Sequence, residues 1–174
     1  MAVNYYYLIS SLPTLKADGD MPITYDAFLE MCRPSVSASV FKELSELTAA
    51  SEKGPLVKEW AQFYGSLMQE LNYQRNLNLE RPAVAPVLRD AASVKTVTAA
   101  MHAKNPLDAE MLLLNLEFEK LDSLVSMHYF DNYVLFGYAM KLKLLERLHS
   151  FDREEGRREF QNLFENIQKK ILSI

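Results

Sequence analysis

The residues best spaced for metal chemistry are Glu146 and His149, three positions apart in a predicted helix. That spacing places both side chains on one face, and carboxylate-bridged di-iron bundles use such a Glu-x-x-His pair to supply two ligands. These bundles need the pair twice, together with two further inward glutamates. Only one copy occurs here, although Glu110, Glu117 and Glu119 on the preceding helix could be recruited. The alternative is a charged face with a half-buried histidine, and Glu110 and Glu117 fit a solvated edge equally well.

The other residues that could react or bind a metal stand alone. His102 and His128 have no Cys, His or carboxylate at the spacing of a zinc site, so we expect ordinary histidines at helix ends. Cys32 precedes Arg33 and Pro34, and a nearby guanidinium could lower the pKa of its thiol. No general base is identifiable beside it in the sequence. We therefore expect a structural, partly buried thiol.

Motifs for nucleotide binding and hydrolysis do not occur in the sequence. It contains no Gly-x-Gly-x-x-Gly, no Gly-x-x-x-x-Gly-Lys-Ser/Thr and no Gly-x-Ser-x-Gly. The basic residues Arg153, Arg157 and Arg158 alternate with glutamates, which is typical of a solvated helix face. We expect no catalytic, cofactor-binding or metal-binding residue, no cofactor and no small-molecule ligand.

The charge and cysteine content narrow the classes of partner. Nineteen Lys and Arg residues against 23 Asp and Glu residues give a net charge of −4, which disfavours nucleic acid and an anionic membrane as partners. A single cysteine is the usage expected of a reducing compartment. The N-terminal residues 1–12 lack a basic region and are too briefly apolar for a signal peptide or a membrane span. We expect a cytoplasmic chain without membrane insertion.

Two long predicted helices carry the Glu and His residues of the candidate metal site. In the first, apolar residues recur at three- and four-residue steps, which places them on one face: Leu107, Met111, Leu114, Phe118, Leu121, Leu124 and Val125. The second repeats this pattern with a wider stripe, which predicts contacts on two sides: Val134, Leu135, Tyr138, Met140, Leu142, Leu144, Leu145, Leu148 and Phe151. Asn105 is the predicted N-cap of the first helix, with Pro106 at its first position, and Asp131 or Asn132 begins the second.

Shorter signals predict the remaining elements. Residues 3–12 form an apolar and aromatic run that Pro13 stops, and we favour an extended segment packed on the helices. The predicted helices, with their caps, are these: Ala27 to Cys32 after Thr24, a segment from Ser35 or Ser37 through Leu47, Leu56 to about Leu79, Ala91 to Ala103, and a last helix capped by Asp152.

These patterns predict an all-α fold, a bundle of about six to seven helices with a short extended N-terminal segment. We expect one helical domain over residues 1–174. Two prolines in the segment 81–90 exclude a continuous helix there, so this connector is the predicted sub-division between two groups of helices.

Two segments resemble an uncharacterised bacterial domain family that is encoded among the genes of V-type ATPases. One is the opening NYYYLISSLP at residues 4–13, with its Tyr-Tyr-Tyr-Leu run and its Leu-Pro end. The other, residues 118–167, contains the acidic-Leu-Asp helix at 119–122, Tyr-x-x-Lys-Leu-x-Leu-Leu-Glu-Arg at 138–147, Phe-Asp at 151–152 and Gly-x-x-x-Phe at 156–160. Residues 60–78 match more weakly.

The resemblance implies a role equivalent to the C-subunit of the V-type ATPase central stalk, known as the d-subunit in eukaryotes. Such a protein is an all-helical, non-catalytic adaptor that sits on the membrane rotor ring and receives the foot of the central shaft. The expected partners are therefore other V-type ATPase subunits, and the expected location is cytoplasmic, peripherally membrane-associated through the complex. The usual C-subunit is about twice as long as this chain. The alternatives are a metal-carboxylate helical-bundle enzyme that uses Glu146 and His149, and a general helical scaffold protein.

An adaptor of this kind works through surface contacts, and aromatic residues are favoured anchors in protein interfaces. The chain has nine Tyr and nine Phe residues, a number that suggests some lie outside the core. The candidate docking residues are Tyr5, Tyr6, Tyr7, Tyr64, Tyr73, Tyr129 and Tyr133. For any one of them, a place in the core is the alternative.

Overall fold

A computed structural model describes residues 5–87 and 89–150 of the chain. In these residues it contains seven helices and no strand, which confirms the predicted all-α fold. The helices are α1 (Tyr6–Ser11), α2 (Tyr25–Cys32), α3 (Ala38–Ser45), α4 (Val57–Asn78), α5 (Ala91–Met101), α6 (Pro106–Val125) and α7 (Asn132–His149). The last predicted helix, its cap Asp152 and the basic cluster of Arg153, Arg157 and Arg158 lie outside the described residues.

Side-chain caps set the starts of five helices. In each, a Ser, Thr, Asp or Asn side chain accepts a hydrogen bond from a backbone N–H of the first turn, which would otherwise have no partner. These caps are Thr24, Ser37, Asp90, Asn105 and Asp131. Four of them are as predicted from the sequence, with Ser37 and Asp131 chosen over their neighbours, and Pro106 occupies the first turn of α6.

The prediction of an extended N-terminal segment is wrong for the described part of that run. Residues 6–11 form α1, and the backbone N–H of Ile9 donates to the carbonyl oxygen of Tyr5. Tyr5 and Leu8 are buried and Ile9 and Leu12 are half-buried, so the run has the three- and four-residue spacing of a helix. Leu12 is extended because it precedes Pro13.

A second difference between prediction and structure lies at the end of α3. The apolar pattern predicted a helix through Leu47, but α3 ends at Ser45. Leu47 is buried in the loop that follows the helix. There the hydroxyl of Ser51 accepts a hydrogen bond from the backbone N–H of Thr48 at 2.9 Å, so a side chain replaces the next helical bond. The burial of Leu47 therefore reflects loop packing.

The main core surrounds α7, whose wide apolar stripe predicted contacts on two sides. Eight of its residues are buried, and they pack with buried residues of α2, α4 and α6. Trp60, at 0% exposure, is among the largest buried side chains, and its indole N–H donates to the carbonyl oxygen of Ala49 at 2.8 Å. The burial of this ring and its satisfied N–H fix α4 against the loop after α3.

A second core cluster links α4 and α5 across the connector. Its buried members are Leu67, Leu71 and Val97, with Leu113 and Leu116 of α6 packed against them. The α5–α6 and α4–α5 helix pairs are therefore packed in this layer. None of the helices in the described part of the chain has the length and apolar character needed to cross a membrane.

Candidate docking surface

A cluster of exposed aromatic and sulfur-containing side chains lies where α1 meets the loop between α6 and α7. We call it the aromatic patch, and its members are Tyr6, Tyr7, Met127 and Tyr129. The exposed fractions of these residues are 51%, 88%, 85% and 79%. Exposed large apolar side chains on two neighbouring segments are typical of a binding surface.

Contacts through Phe130 join α1 to the loop that carries Met127 and Tyr129. The backbone N–H of Tyr5 donates to the carbonyl oxygen of Phe130 at 2.6 Å. The rings of Tyr6 and Phe130 pack edge to face with centroids 4.7 Å apart, and those of Tyr6 and Tyr7 do so at 5.4 Å. Phe130 has a φ of +54°, a left-handed conformation that is costly for a bulky residue. These contacts hold the loop in that conformation.

The loop is also fixed at its C-terminal end by Asp131. One carboxylate oxygen caps α7, and the other lies 2.7 Å from Nδ1 of His128. The His128 ring stacks on Tyr133 with centroids 3.9 Å apart, and the Tyr133 hydroxyl donates to Glu59 of α4. The loop that carries Met127 and Tyr129 is therefore ordered. His128 lies just after the C-terminal end of α6, where its backbone N–H donates to the carbonyl oxygen of Val125 at 2.9 Å.

The structure divides the seven tyrosines that were predicted as docking residues. Tyr6, Tyr7 and Tyr129 are exposed and lie in the aromatic patch. Tyr5 is buried, and Tyr64, Tyr73 and Tyr133 are half-buried. Met127 was missed, because an isolated methionine at a helix end has no sequence signal that separates an exposed position from a buried one.

The Glu146 and His149 pair is engaged in local interactions. A carboxylate oxygen of Glu146 accepts a hydrogen bond from Nζ of Lys143 at 3.0 Å, and Nδ1 of His149 lies 3.0 Å from the carbonyl oxygen of Leu145. His149 also borders a surface cavity of about 340 Å³, shared with Asp18 and Asp20. Within residues 5–87 and 89–150, no group of three or more His, Cys, Asp or Glu residues is placed to hold a metal ion.

Glu110 and Glu117 form an ion-pair network with Arg147. The expectation that both glutamates lie on a solvated edge is wrong for Glu117. Nη2 of Arg147 lies 2.7 Å from a carboxylate oxygen of each glutamate, and Glu117 is buried. Burial raises the pKa of Glu117, while the hydrogen bond and charge of Arg147 act in the opposite direction. Burial alone would lower the pKa of Arg147, but Glu117 and Glu110 raise it above its ordinary value. This network joins α6 to α7.

The surroundings of Cys32 and His102 indicate structural roles for both residues. The thiol of Cys32 is buried, and this burial raises its pKa to about 12, so a nearby guanidinium does not activate it. His102 lies at the C-terminal end of α5, as expected, and its Nδ1 is 2.8 Å from the carbonyl oxygen of Thr98.

Residues 90–171 match a family model described as a protein of unknown function, DUF2764. A DUF2764 domain is thus found there, and it includes α5, α6 and α7 together with Met127 and Tyr129 of the aromatic patch. Comparisons with curated proteins and with solved structures gave no match. The family description does not mention V-type ATPases, so the link to a rotary motor stays a prediction.

Proposed function

We propose that this chain is a non-catalytic rotor adaptor, which couples the central shaft of a V-type ATPase or ATP synthase to the membrane ring. The observation that carries the proposal is the aromatic patch. It supplies a contact surface made of Tyr and Met side chains, which are enriched in protein interfaces, on α1 and on a loop that hydrogen bonds and ring contacts hold in place. In this proposal the chain is membrane-associated only through the other proteins of the complex.

A mechanical role also fits the connection between α6 and α7. An adaptor that transmits torque must keep its helices in register under load. The Arg147 network and the 2.6 Å ion pair between Lys141 and Asp122 cross this helix pair at different points, and the side chains of Leu114, Leu121 and Leu142 are buried in the core between these helices and their neighbours. Several independent contacts along one helix pair resist sliding better than apolar packing alone, because each has a fixed partner.

The proposal is tested by affinity purification of the tagged full chain from membranes of its source cells, followed by mass spectrometry. We expect ATPase shaft or ring subunits to co-purify with the unaltered chain. The variant Tyr7→Ser with Tyr129→Ser should lose them, since it removes two exposed anchors without touching the core.

A matched control is Leu112→Ser, which changes an exposed apolar residue of α6 outside the aromatic patch. This control should retain the ATPase subunits. Recovery of no ATPase subunit by the unaltered chain, or equal recovery by the patch variant and the control, would reject the proposal. Stoichiometric iron, manganese or zinc in the purified chain would instead favour the metal-carboxylate alternative.

A further inference from the structure

The surface cavity of about 340 Å³ lies between the start of α6, the end of α7 and the loop of residues 17–20, and we call it the terminal groove. Its apolar lining includes Leu107 and Met111 of α6 and Leu148 of α7. The side chain of Leu107 is 50% exposed, whereas Leu114, further along the same stripe of α6, is fully buried. The described residues therefore leave the apolar stripe of α6 uncovered at its N-terminal end.

The pairing of α6 with α7 indicates which part of the chain lies opposite this uncovered end. The two helices are antiparallel, since Lys141 pairs with Asp122, while Arg147, later in α7, pairs with Glu117, earlier in α6. Each turn further along α7 therefore lies opposite a turn closer to the start of α6. Arg147 also pairs with Glu110, and α7 ends two residues later. The first turn of α6, before Glu110, thus lies opposite the chain that follows α7.

The sequence that follows α7 has the pattern of a segment that covers an apolar surface. Phe151 continues the stripe of α7, and further apolar residues recur at three- and four-residue steps: Phe160, Leu163, Phe164, Ile167 and Ile171. A helix of this kind gains most of its stability from packing its apolar face on another surface. The DUF2764 match extends through residue 171, so this segment belongs to the same family domain as α6 and α7.

The charges beside the terminal groove are complementary to those of the same segment. Asp18 and Asp20 border the groove, are exposed, and form no ion pair with any other described residue. Arg153 and Arg157 stand four positions apart in the sequence after α7, which places them on one face of a predicted helix. Two carboxylates and two guanidinium groups are thus available to each other at the edge of an apolar contact.

We propose that residues 151–171 dock on the terminal groove of the same chain. Their apolar face covers the apolar lining of the groove, and Arg153 and Arg157 lie beside its two aspartates. The segment begins two residues after His149, which borders the groove, so the contact is intramolecular, with an effective concentration on the order of 1 mM or more. The groove lies at the opposite end of the α6–α7 pair from the aromatic patch, and the inference does not depend on the rotor proposal.

The test is amide hydrogen exchange of the full chain, measured by mass spectrometry. We expect the amides of residues 160–171 to be protected in the unaltered chain. Leu107→Ser should reduce this protection at least about tenfold, because a Leu side chain loses its burial against the segment. Exchange at Leu142 and Leu144 in the core of α7 should stay unchanged, which checks that the variant is folded.

A second variant, Asp18→Lys with Asp20→Lys, changes only exposed loop positions. It should reduce the protection of residues 160–171 at least about twofold, because the new lysines repel the arginines of the segment.

The matched control is Leu112→Ser, which makes the same change at an exposed Leu of α6 that does not border the terminal groove. It should keep the protection of residues 160–171 within about twofold of the unaltered chain. Absence of protection in the unaltered chain, or equal protection in Leu107→Ser and the control, would overturn the inference. So would protection that increases with protein concentration, because a second copy would then be the partner.

Discussion

The backbone N–H of Tyr5 donates a 2.6 Å hydrogen bond to the carbonyl oxygen of Phe130. This bond joins the beginning of the described chain to the loop before α7, and the Tyr6 and Phe130 rings pack beside it. Because of this contact, exposed tyrosines from distant positions in the sequence form one surface. The proposed docking function depends on that surface.

Removal of Arg147 should strongly destabilise the protein. Arg147→Ala leaves the buried Glu117 carboxylate without its partner, and breaking a buried pair in this way costs about 3 kcal/mol of the free energy of unfolding. The double variant Arg147→Met with Glu117→Gln should cost less than the single change, because no unpaired buried charge remains at that position. Urea unfolding of both variants measures this, and a double variant less stable than Arg147→Ala would contradict it.

Gly137 should not tolerate a larger side chain. A Cβ atom at this position would lie 2.7 Å from Cγ1 of Val125, so either the Val125 side chain or the backbone of α6 or α7 would have to shift. We expect Gly137→Ala to lower the free energy of unfolding by about 1 kcal/mol or more, because overpacking outweighs the gain in helix propensity.

The control for this steric effect is Gly65→Ala in α4, where a Cβ atom would meet nothing within 4 Å. This change should raise the free energy of unfolding by up to about 1 kcal/mol. Equal effects of the two substitutions in thermal unfolding would show that the α6–α7 contact at Gly137 is not close.

The free energy of unfolding should decrease at acidic pH, because the carboxylates of Glu70 and Asp90 become protonated. Hydrogen bonds from Arg89 lower the pKa of Glu70 in the folded protein, and hydrogen bonds from Ser93 lower that of Asp90. The unfolded chain therefore binds protons at a higher pH than the folded chain, and stability is lost as the pH falls below about 4.5 and through the lower folded pKa values.

The pH effect of Glu70 can be isolated with Glu70→Gln. This variant should be less stable than the unaltered chain at pH 7, and the difference in the free energy of unfolding should shrink as the pH falls below about 4. Urea unfolding at a series of pH values measures the difference. A difference that stays constant from pH 7 to pH 3 would contradict the role of the Arg89 and Glu70 pair.

Cys32 should be inert in the native protein. Its side chain is buried and burial raises its pKa to about 12, so both access and thiolate content are low. We expect a thiol reagent such as Ellman's reagent to label Cys32 only under unfolding conditions. Rapid stoichiometric labelling of the native chain at pH 8 would show that the thiol is accessible.

The sequence predicted the helices well where local chemistry determines them. Asn105, Pro106 and Asp108 together specify the start of α6, and Asp131 does the same for α7. It failed for α1, because an aromatic run of this length fits a strand and a helix equally well. The Arg147 and Glu117 pair could not be predicted either, since the register between two long helices has no local signal. The aromatic patch was predicted only in part, because exposure depends on packing between distant segments.

The most direct test of the rotor proposal is the affinity between the purified full chain and a purified V-type ATPase rotor, made of shaft and membrane ring, measured by surface plasmon resonance. We predict saturable binding at one chain per rotor. Tyr7→Ser with Tyr129→Ser should weaken this binding by about tenfold or more, and Leu112→Ser should leave it unchanged. Absence of saturable binding by the unaltered chain, or binding that the patch variant retains in full, would contradict the account.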